Sequence, residues 1–382
     1  MNTRKLYYED CHTRTFSATV IGCEQREKGF AVTLDATAFY PEGGGQACDI
    51  GTLDEARVLD VKEEGEAVVH LCDKPLAVGK TVTGTLDWAR RFDLMQQHTG
   101  EHIVSGIIHR LFGGHNTGFH VGADTVTIDF DCPIPADRIP EIETLANEAV
   151  YLNLPVICTV PSEEELSKIP YRTKRALPWP VRLVEVPGYD TCACCGVHTA
   201  YTGEIGIIKL LSCIKFHQGV RMEMVCGARA FQYLSSVYEQ NRLVSQAFSA
   251  KILETGEAAA RMNEALAQEK FRAAALEKQV FAATAERFAG QGDVVHFADG
   301  LEPASVRALA DAIAQNCGGT AFVFSGSDEK GYSLCLVNKQ AEVRDLGQAL
   351  TQACNGRGGG KNGFFQGSVQ ATKAQIEAFF RQ

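Results

Sequence analysis

The chain has 382 residues and a formal net charge of −10 at pH 7, with 45% hydrophobic and 22% charged residues. This length predicts two or three domains, because a single hydrophobic core stops growing at smaller sizes. The composition is typical of a soluble globular protein and excludes a disordered chain. The excess of acidic residues means that a nucleic-acid partner has to be bound by local basic patches and not by the overall charge.

The cysteines and the first residues together indicate a cellular compartment. Fourteen cysteines are scattered without a repeating spacing, and the polar start of the sequence does not have the pattern of a signal peptide. Free thiols are typical of a reducing environment. We therefore expect a cytoplasmic protein, and the absence of a long apolar run predicts that it has no membrane partner.

Residues 1–88 are expected to form a β-barrel domain, since five or six β-branched segments alternate there with turn-forming clusters. Within it, the sequence FYPEGGGQ carries the consecutive glycines Gly43, Gly44 and Gly45. Such runs occur where the backbone turns sharply or where a ligand approaches the main chain. A plain hairpin turn is the alternative, but the amide of Gln46 favours a loop that faces a polar substrate.

A helix is predicted over residues 94–111, because apolar residues recur there at three- and four-residue steps. His98 and His102 are four residues apart, so their imidazoles project from the same side of this helix. Two histidines share one metal ion in this arrangement. A pair of packed or surface histidines is the alternative when the motif is considered alone.

Residues 89–227 alternate between helical and strand patterns, which predicts an α/β domain with helices on one face of a sheet. A glycine-rich turn follows the histidine helix, and a second helix is expected over residues 136–152. Near residue 190 the sequence CCGVH places Cys194 and His198 around a tight turn. One thiolate and one imidazole from this turn, with two imidazoles from the helix, make a complete set of ligands for Zn²⁺.

The combination of these motifs is specific. HTGEH and CCGVH, preceded by FYPEGGGQ and followed by TGEIGIIKL, resemble the editing domain of alanyl-tRNA synthetases and the free-standing alanyl-tRNA editing proteins of the AlaX type. In that family the matching positions bind one zinc ion, and the resemblance assigns this role to His98, His102, Cys194 and His198. Relatives commonly carry Cys-Gly-Gly-Thr-His at the second motif. The spacing is therefore kept while the interior differs, and the neighbouring Cys192 and Cys195 are alternative ligands.

The resemblance implies hydrolysis of the ester that joins a wrong amino acid, chiefly serine, to alanine-specific tRNA. Selection of serine over alanine needs a group that forms a hydrogen bond with the extra hydroxyl. The turn at residues 116–120 lies where the family places a discriminating threonine, so Thr117 and His120 are the candidates. His120 is also a candidate general base, and an ordinary polar turn is the alternative for both. With Gln46 they make up the candidate catalytic residues.

From residue 228 to 290 the composition shifts to Ala, Glu, Gln and Lys, which predicts a helical spacer with a break at Gly256. Six small or apolar residues fall close to a heptad seam that includes the polar Glu269: Ala259, Met262, Leu266, Ala273, Leu276 and Val280. This pattern predicts a coiled coil that pairs two chains into a homodimer, or a spacer between domains. A helical hairpin within one chain is the alternative.

Residues 291–382 begin with a strand and helix pattern and contain a glycine-rich stretch at 355–367. This region is similar to the C-terminal domain shared by alanyl-tRNA synthetases and the DHH phosphoesterases, although the Asp-His-His motif of the latter is missing. In the synthetases the domain grips the outer corner of tRNA. Backbone amides of a glycine-rich loop, flanked by Arg357 and Lys361, would suit phosphate groups. A structural loop that covers a sheet edge is the alternative.

The sequence thus predicts an α+β multi-domain protein with a β-barrel (1–88), an α/β zinc-containing editing domain (89–227), a helical spacer (228–290) and a C-terminal α/β domain (291–382). Its predicted function is Zn²⁺-assisted removal of serine, and of glycine too, from alanine-specific tRNA. Basic residues expected near phosphates are Arg90, Arg91, Arg172, Lys174, Arg175, Arg357 and Lys361.

Two other functions are kept open. Four protein ligands are typical of a structural zinc site, whereas catalytic sites leave a position open. A non-catalytic tRNA-binding protein with a structural zinc is therefore one alternative. The other is editing of serine attached to threonine-specific tRNA, because threonyl-tRNA synthetases carry a related editing domain.

Overall fold

The computed structural model describes residues 2–173 and 177–381. By its internal contacts the chain divides into two units, Met1–Leu243 and Val244–Gln382. Two of the basic residues expected near phosphates, Lys174 and Arg175, lie outside the described residues. Among the helices that are described, none has both the length and the apolar composition that crossing a lipid bilayer requires.

The first unit begins with a barrel. Its strands are β1 Arg4–Lys5, β2 Thr15–Arg26, β3 Gly29–Leu34, β4 Ala36–Thr37, β5 Gly51–Leu53, β6 Ala56–Glu64, β7 Ala67–Cys72 and β8 Thr81–Leu86. Six of them close in the order β2-β3-β7-β6-β5-β8, while β1 and β4 pair separately. Along β8, buried and exposed residues alternate strictly, which is the two-residue period of a strand that faces a core on one side. Closure leaves this sheet without an exposed edge.

The second part of this unit is built around a long buried helix. The elements are α1 Trp88–Phe112, β9 Asn116–Val121, β10 Val126–Phe130, α2 Ile139–Tyr151, β11 Ile157–Thr159, α3 Glu163–Leu166, β12 Leu183–Val186, β13 Asp190–Ala193 and β14 Ile208–Phe216, then β15 Gly219–Cys226 and α4 Gly227–Phe248, whose last residues belong to the second unit. They form a four-stranded sheet (β14-β15-β10-β9) and a three-stranded sheet (β11-β12-β13).

All strand pairs in these two sheets are antiparallel, so this part is α+β and the α/β description does not hold for it. Short connections join β9 to β10, β12 to β13 and β14 to β15, which favours antiparallel pairing because parallel pairs require a crossover. Helix α1 begins with the Asp87 side chain accepting a hydrogen bond from the Arg90 N–H, and it ends at Gly113 in a left-handed conformation. Its residues are buried almost continuously from Leu94 to Ile108.

The second unit contains α5 Thr255–Glu286, β16 Gly292–Phe297, α6 Pro303–Asn316, β17 Gly318–Ser327, β18 Gly331–Val337, α7 Arg344–Ala353, β19 Gly356–Lys361, β20 Phe364–Val369 and α8 Lys373–Phe379. Its sheet has the order β16-β17-β18-β20-β19. Gly256 lies in the first turn of α5. The helix break precedes it, at Ser249, which has a positive φ of 50°.

The glycine-rich stretch expected to be a loop is a β-hairpin, β19 and β20, that turns at Asn362 and Gly363. A Cβ atom on Gly356 or Gly360 would overlap carbonyl groups of β20. The glycines therefore let two strands approach closely, and they do not form a phosphate-binding loop. Because β19 is the outermost strand, Arg357 and Lys361 lie on a sheet edge.

A buried ion pair joins the barrel to helix α1. The Arg91 guanidinium, at 0% exposure, binds the Asp49 carboxylate and donates to the Ala38 carbonyl at 2.5 Å. The Asp49 carboxylate also accepts the Tyr40 N–H at 2.6 Å. The pair therefore fixes the segment that carries the three glycines against the helix that carries the two histidines.

Replacing Arg91 with Met would leave the Asp49 carboxylate buried without its cation. We expect the free energy of unfolding of the first unit to fall by about 3–5 kcal/mol. Both tryptophans, Trp88 and Trp179, lie in this unit, so urea unfolding followed by their fluorescence measures it.

The matched control is Arg26→Met, which removes an exposed bidentate pair with Glu64. That change should lower the free energy of unfolding by only about 0–1 kcal/mol, because exposed ion pairs contribute little to stability. Equal losses in the two variants would contradict the clamping role of the buried pair.

Candidate metal centre

Helix α1 and the turn after β13 bring four potential ligands together. Their ligand atoms all lie within 4.8 Å of one another: His98, His102, Cys194 and His198. The ring centroids of His98 and His102 are 5.4 Å apart, as expected for residues on successive turns of one face. The three imidazoles are almost completely buried. The structure therefore assembles the four residues that the sequence proposed.

The Cys/His turn can reach α1 because Gly196 has no side chain. A Cβ atom there would overlap the His98 ring. The turn is also held from its outer side, where the Arg182 Nη1 donates to the Cys194 and Gly196 carbonyls at 2.8 and 3.0 Å. The Tyr8 hydroxyl donates to the Cys195 carbonyl at 2.7 Å.

Hydrogen bonds orient the two helix histidines. The Gln46 Oε1 accepts from the Val197 N–H at 3.3 Å, which identifies it as the amide oxygen, and it lies 2.8 Å from the His98 Nδ1. The His98 Nδ1 is therefore protonated and its Nε2 lone pair faces the cluster. The His102 Nδ1 is 2.9 Å from the Asp190 carboxylate, and Arg172 holds that carboxylate by two bonds of 2.6 and 2.8 Å. Such partners are typical of metal-binding histidines.

The donor atoms fit a zinc ion. Both ring nitrogens of His198 are buried and have no hydrogen-bond partner among the described residues, and a bound metal ion would satisfy one of them. The Cys194 Sγ is 3.4 Å from the His98 Nε2. Tetrahedral zinc with Zn–N near 2.0 Å and Zn–S near 2.3 Å requires about 3.3–3.7 Å between ligand atoms. Three nitrogens and one thiolate are a set that zinc accepts.

The protonation states of Cys194 and His198 suit metal binding. Burial raises the pKa of the Cys194 thiol, but the neighbouring His98 and the other two imidazoles together bring it well below its ordinary value. The thiolate is the form that binds metals. Burial also lowers the pKa of His198 well below its ordinary value, which keeps that imidazole neutral. By contrast, burial raises the pKa of Cys192 to about 11. The exposed Cys195 has a raised pKa as well, so Cys194 is the preferred thiolate.

A cleft of about 650 Å³ opens onto His98, His102 and Cys194. Its other walls include Gly44, Gly45, Glu101, Thr117 and Arg182. This volume lies within the range of ordinary ligand sites. We call this cavity the metal cleft.

The three glycines form a tight hairpin, which was the alternative to a substrate loop. Gly43 and Gln46 exchange backbone hydrogen bonds of 3.1 and 3.0 Å. Gly44 and Gly45 between them have φ values of 61° and 87°, which favour glycine. The hairpin still lines the metal cleft through Gly44 and Gly45. The Gln46 side chain, however, is 1% exposed and contacts His98, so it does not face a substrate.

The segment expected to be a turn at residues 116–120 is strand β9, and it separates the two candidates. The register with β10 shifts between Asp129 and Phe130, which leaves Thr117 as the extra residue of a β-bulge. Thr117 lines the metal cleft, and its hydroxyl donates to the Asp129 carbonyl at 3.2 Å. His120 is exposed and lines a different cleft with Arg90. The structure therefore does not bring His120 to the metal ligands.

Three of the basic residues expected near phosphates have structural partners instead. Arg91 is fully buried on Asp49, and Arg172 holds Asp190 beneath His102. The Arg90 Nε donates to the Cys48 carbonyl at 3.2 Å, although the residue still borders a cleft. Arg357 and Lys361 are exposed, on β19 of the second unit.

Glu101 and Asp190 belong to this site, although the sequence motifs did not indicate a role for either residue. Glu101, inside the HTGEH motif, is buried in the wall of the metal cleft. Its carboxylate accepts hydrogen bonds from the Ser105 hydroxyl, at 2.6 Å, and from the Asn116 amide. Asp190 precedes the Cys/His turn by four residues. The available signal was that metal-binding histidines pair with carboxylates, so an acid close to a proposed ligand is a candidate partner.

Comparison with known proteins agrees with this geometry. The family profile "tRNA synthetases class II (A)" matches residues 3–90, "Threonyl and Alanyl tRNA synthetase second additional domain" matches 181–222, and "DHHA1 domain" matches 290–382. An "Alanyl-tRNA editing protein Aarsd1" of Mus musculus is 29% identical over 98% of this chain and 96% of its own length. The resemblance to the alanyl-tRNA editing proteins is confirmed.

The other matches are partial. An "Alanine--tRNA ligase" of Thermofilum pendens is 33% identical over 97% of this chain. The chain spans only 43% of that ligase and 28% of one from Ignicoccus hospitalis. The crystal structure of the C-Ala domain of Aquifex aeolicus alanyl-tRNA synthetase matches 24% of this chain and 91% of that domain, at 18% identity and a TM-score of 0.22.

In this relative of the alanyl-tRNA editing proteins, the Gln46 amide should contribute to metal affinity although it is not a ligand. Gln46→Leu removes the acceptor for the His98 Nδ1–H. We expect zinc affinity to fall about 10- to 100-fold, as measured by competition with a chromogenic chelator.

Gln46→Glu keeps an oxygen acceptor and should restore most of the affinity. Gln25→Leu, on an exposed barrel residue, serves as the control for the substitution itself. A normal affinity in Gln46→Leu, with the circular dichroism spectrum unchanged, would show that the amide does not orient His98.

Proposed function

We propose that the protein is a trans-editing hydrolase that removes serine, and to a lesser degree glycine, from alanine-specific tRNA with the help of one Zn²⁺. The observation that carries the proposal is the position of Thr117 in the wall of the metal cleft beside the four ligands. The near-full-length relatives named as alanyl-tRNA editing proteins support the class of substrate. A bound zinc ion would supply Lewis-acid polarisation at one end of this cleft.

Thr117 has the chemistry to recognise serine. Because its hydroxyl hydrogen is donated to the Asp129 carbonyl, the lone pairs of its oxygen remain available as acceptors. The hydroxyl of a seryl group can donate to that oxygen, while an alanyl group has nothing to donate. The bulge takes Thr117 out of the regular pairing of β9 and thereby re-aims its side chain.

The remaining cleft residues would position the ester. Gly44 and Gly45 present backbone without side chains, so a ribose or ester group can approach the hairpin closely. A Cβ atom on Gly45 would overlap Phe119, which fixes the hairpin against strand β9. An aminoacyl ester is already activated, so orientation and charge stabilisation account for much of the catalysis required.

The second unit is proposed to contact the tRNA body. Its match to the DHHA1 domain covers residues 290–382, and the same region occurs in relatives named as ligases for alanine and tRNA. Arg357 and Lys361 project from the exposed edge strand β19, where they can reach phosphates. These contacts would position the RNA without reading its sequence.

One observation favours a second candidate function. Four protein ligands complete a tetrahedral zinc shell, which is typical of structural sites. In that case the protein would bind tRNA without hydrolysing the ester. The two functions differ in whether Thr117 affects turnover.

Purified protein should remove serine from alanine-specific tRNA, and prior removal of the metal with a chelator should abolish the reaction. Thr117→Val should lower kcat/KM for the seryl ester about 10- to 100-fold, since one hydrogen bond to the substrate hydroxyl is lost. The glycyl ester on the same tRNA is the matched control, because it has no side-chain hydroxyl and should lose less than about threefold.

Equal losses for the two esters would mean that Thr117 does not select serine. A protein that binds the tRNA and zinc but hydrolyses neither ester would support the structural-zinc alternative. If the protein removes serine faster from threonine-specific tRNA than from alanine-specific tRNA, the threonine-tRNA editing function is favoured instead.

We also propose that helix α5 pairs two copies of the chain. Four large apolar residues on its heptad seam are each more than half exposed: Met262, Leu266, Leu276 and Val280. In the full seam, which also contains Ala259, Glu269 and Ala273, the steps alternate between three and four residues, as in the contact positions of a coiled coil. Lys270 and Glu277 flank the seam, so charges of opposite sign are available to a facing copy.

Leu276→Asp should convert the dimer into a monomer, because a carboxylate would be buried at the seam. Sedimentation velocity at several protein concentrations measures this. Phe271→Asp is the control, since Phe271 is 79% exposed but lies off the seam. A wild-type chain that sediments as a monomer at all concentrations would contradict the pairing.

A further inference from the structure

A second cleft borders the metal cleft. It has a volume of about 640 Å³, and Arg172 and Thr173 line both cavities. At its floor, α1 passes close to the start of β13. The approach is so close that a Cβ atom on Gly106 would overlap the Tyr189 carbonyl. We call this cavity the side cleft. It is built from the same elements that hold His102 and Asp190, yet none of the four metal ligands lines it.

The lining of the side cleft combines rings with a cation. The Arg110 guanidinium lies 5.7 Å from the centre of the Tyr189 ring, and its Nη1 donates to the Gly188 carbonyl at 3.0 Å. The rings of His109 and His115 also line this cleft, with centroids 5.2 Å apart. Tyr171 adds a further aromatic ring.

The charge in the side cleft is favourable for an anion. Asp190 is its acidic lining residue, and that carboxylate is already held by Arg172 and His102. Arg110, by contrast, is exposed and uses one nitrogen on a neutral carbonyl. This local excess of positive charge contrasts with the chain's overall charge of −10. Guanidinium groups next to aromatic rings are the means by which proteins bind unpaired nucleotides, through phosphate contact and base stacking.

We propose that the side cleft binds the nucleotides that immediately precede the terminal adenosine in the unpaired 3′ end of the substrate RNA. This assignment rests on the proposed function in one respect, because it requires the acylated adenosine to occupy the metal cleft. An RNA whose last nucleotide lies there has to leave through an adjoining opening, and its next bases and phosphates would then lie across Arg172 and Thr173. The ligand is therefore a short single-stranded segment with stacked bases and one or two phosphates.

The cleft beside His120 is a less suitable exit, since it shares no described lining residue with the metal cleft. Its lining includes Arg229, but Asp93 neutralises that guanidinium through bonds of 2.8 and 2.6 Å. No tyrosine, phenylalanine or tryptophan belongs to the described residues that line it. Among the described residues that line it, the His120 imidazole is the one aromatic ring, so its stacking surface is smaller than that of the side cleft.

The test compares two substrates that differ only in the nucleotides of interest. One is a seryl ester of a hairpin RNA with an unpaired 3′ tail, and the other is the seryl ester of adenosine alone. In Arg110→Ala and Tyr189→Ala, KM for the hairpin ester should rise about tenfold with kcat nearly unchanged. Hydrolysis of the adenosine ester should keep the wild-type kcat/KM. The matched control is Arg138→Ala, which removes a guanidinium 5.3 Å from the Phe112 ring, outside the side cleft.

Direct binding gives a second measurement that does not depend on catalysis. The unacylated hairpin RNA, with and without its unpaired tail, is titrated against the zinc-loaded protein by fluorescence anisotropy. Removing the tail should weaken binding to wild-type protein about tenfold, and should have little effect in Arg110→Ala.

Two results would overturn the proposal. One is an equal loss on both esters, which would mean that Arg110 and Tyr189 merely support Asp190 and His102. The other is tail-dependent binding that persists in both variants. If wild-type protein hydrolyses neither ester but still binds the tail through Arg110, the proposed hydrolase function fails and the side cleft assignment stands. If wild-type protein hydrolyses both esters, either of these two results rejects the side cleft alone.

Discussion

The structure depends on how a buried cluster of three imidazoles and a thiolate is kept stable. Burying such groups without partners is costly, and His198 has no other partner among the described residues. A divalent cation would resolve the cost for all four at once, and it would tie α1 to a turn almost a hundred residues later in the sequence. The surrounding hydrogen bonds suit such an ion, since the Nδ1 of His98 bonds to Gln46 and the Nδ1 of His102 bonds to Asp190. The Nε2 lone pairs are thereby left for the metal.

Close approach of backbone makes this cluster possible, and glycines are placed where it is needed. Gly196 brings the Cys/His turn onto the His98 ring, and Gly106 brings the chain at Tyr189 and Asp190 onto α1 one turn after His102. On the opposite side of the helix, a Cβ atom on Gly100 would overlap the Cys226 sulfur. These three positions let one helix pack tightly against three different segments. The metal ligands are therefore fixed by packing as well as by hydrogen bonds.

The candidate ligands and the histidine helix could be predicted from the sequence, because both follow from local spacing. A four-residue step places two imidazoles on one helical face in any fold, and the Cys/His turn is equally local. Local spacing does not predict the roles of Gln46, Thr117 and the glycines of β19, because these roles depend on contacts with distant strands. Thr117 faces the metal cleft owing to a register shift against β10, and no local pattern reports such a shift. Gly356 and Gly360 face β20, so a run that suggested a loop is a closely paired strand.

The expected boundary at residue 88 separates segments that jointly build one site. Tyr8 and Gln46 come from the barrel side of that boundary, yet they support the Cys/His turn and orient His98. The buried Arg91–Asp49 pair crosses the same boundary and fixes the glycine hairpin in register with the helix. A barrel that merely accompanied the metal centre would not supply a histidine partner and part of the cleft wall. The barrel therefore acts as one half of the metal site, and the geometry of the cleft depends on both halves folding against each other.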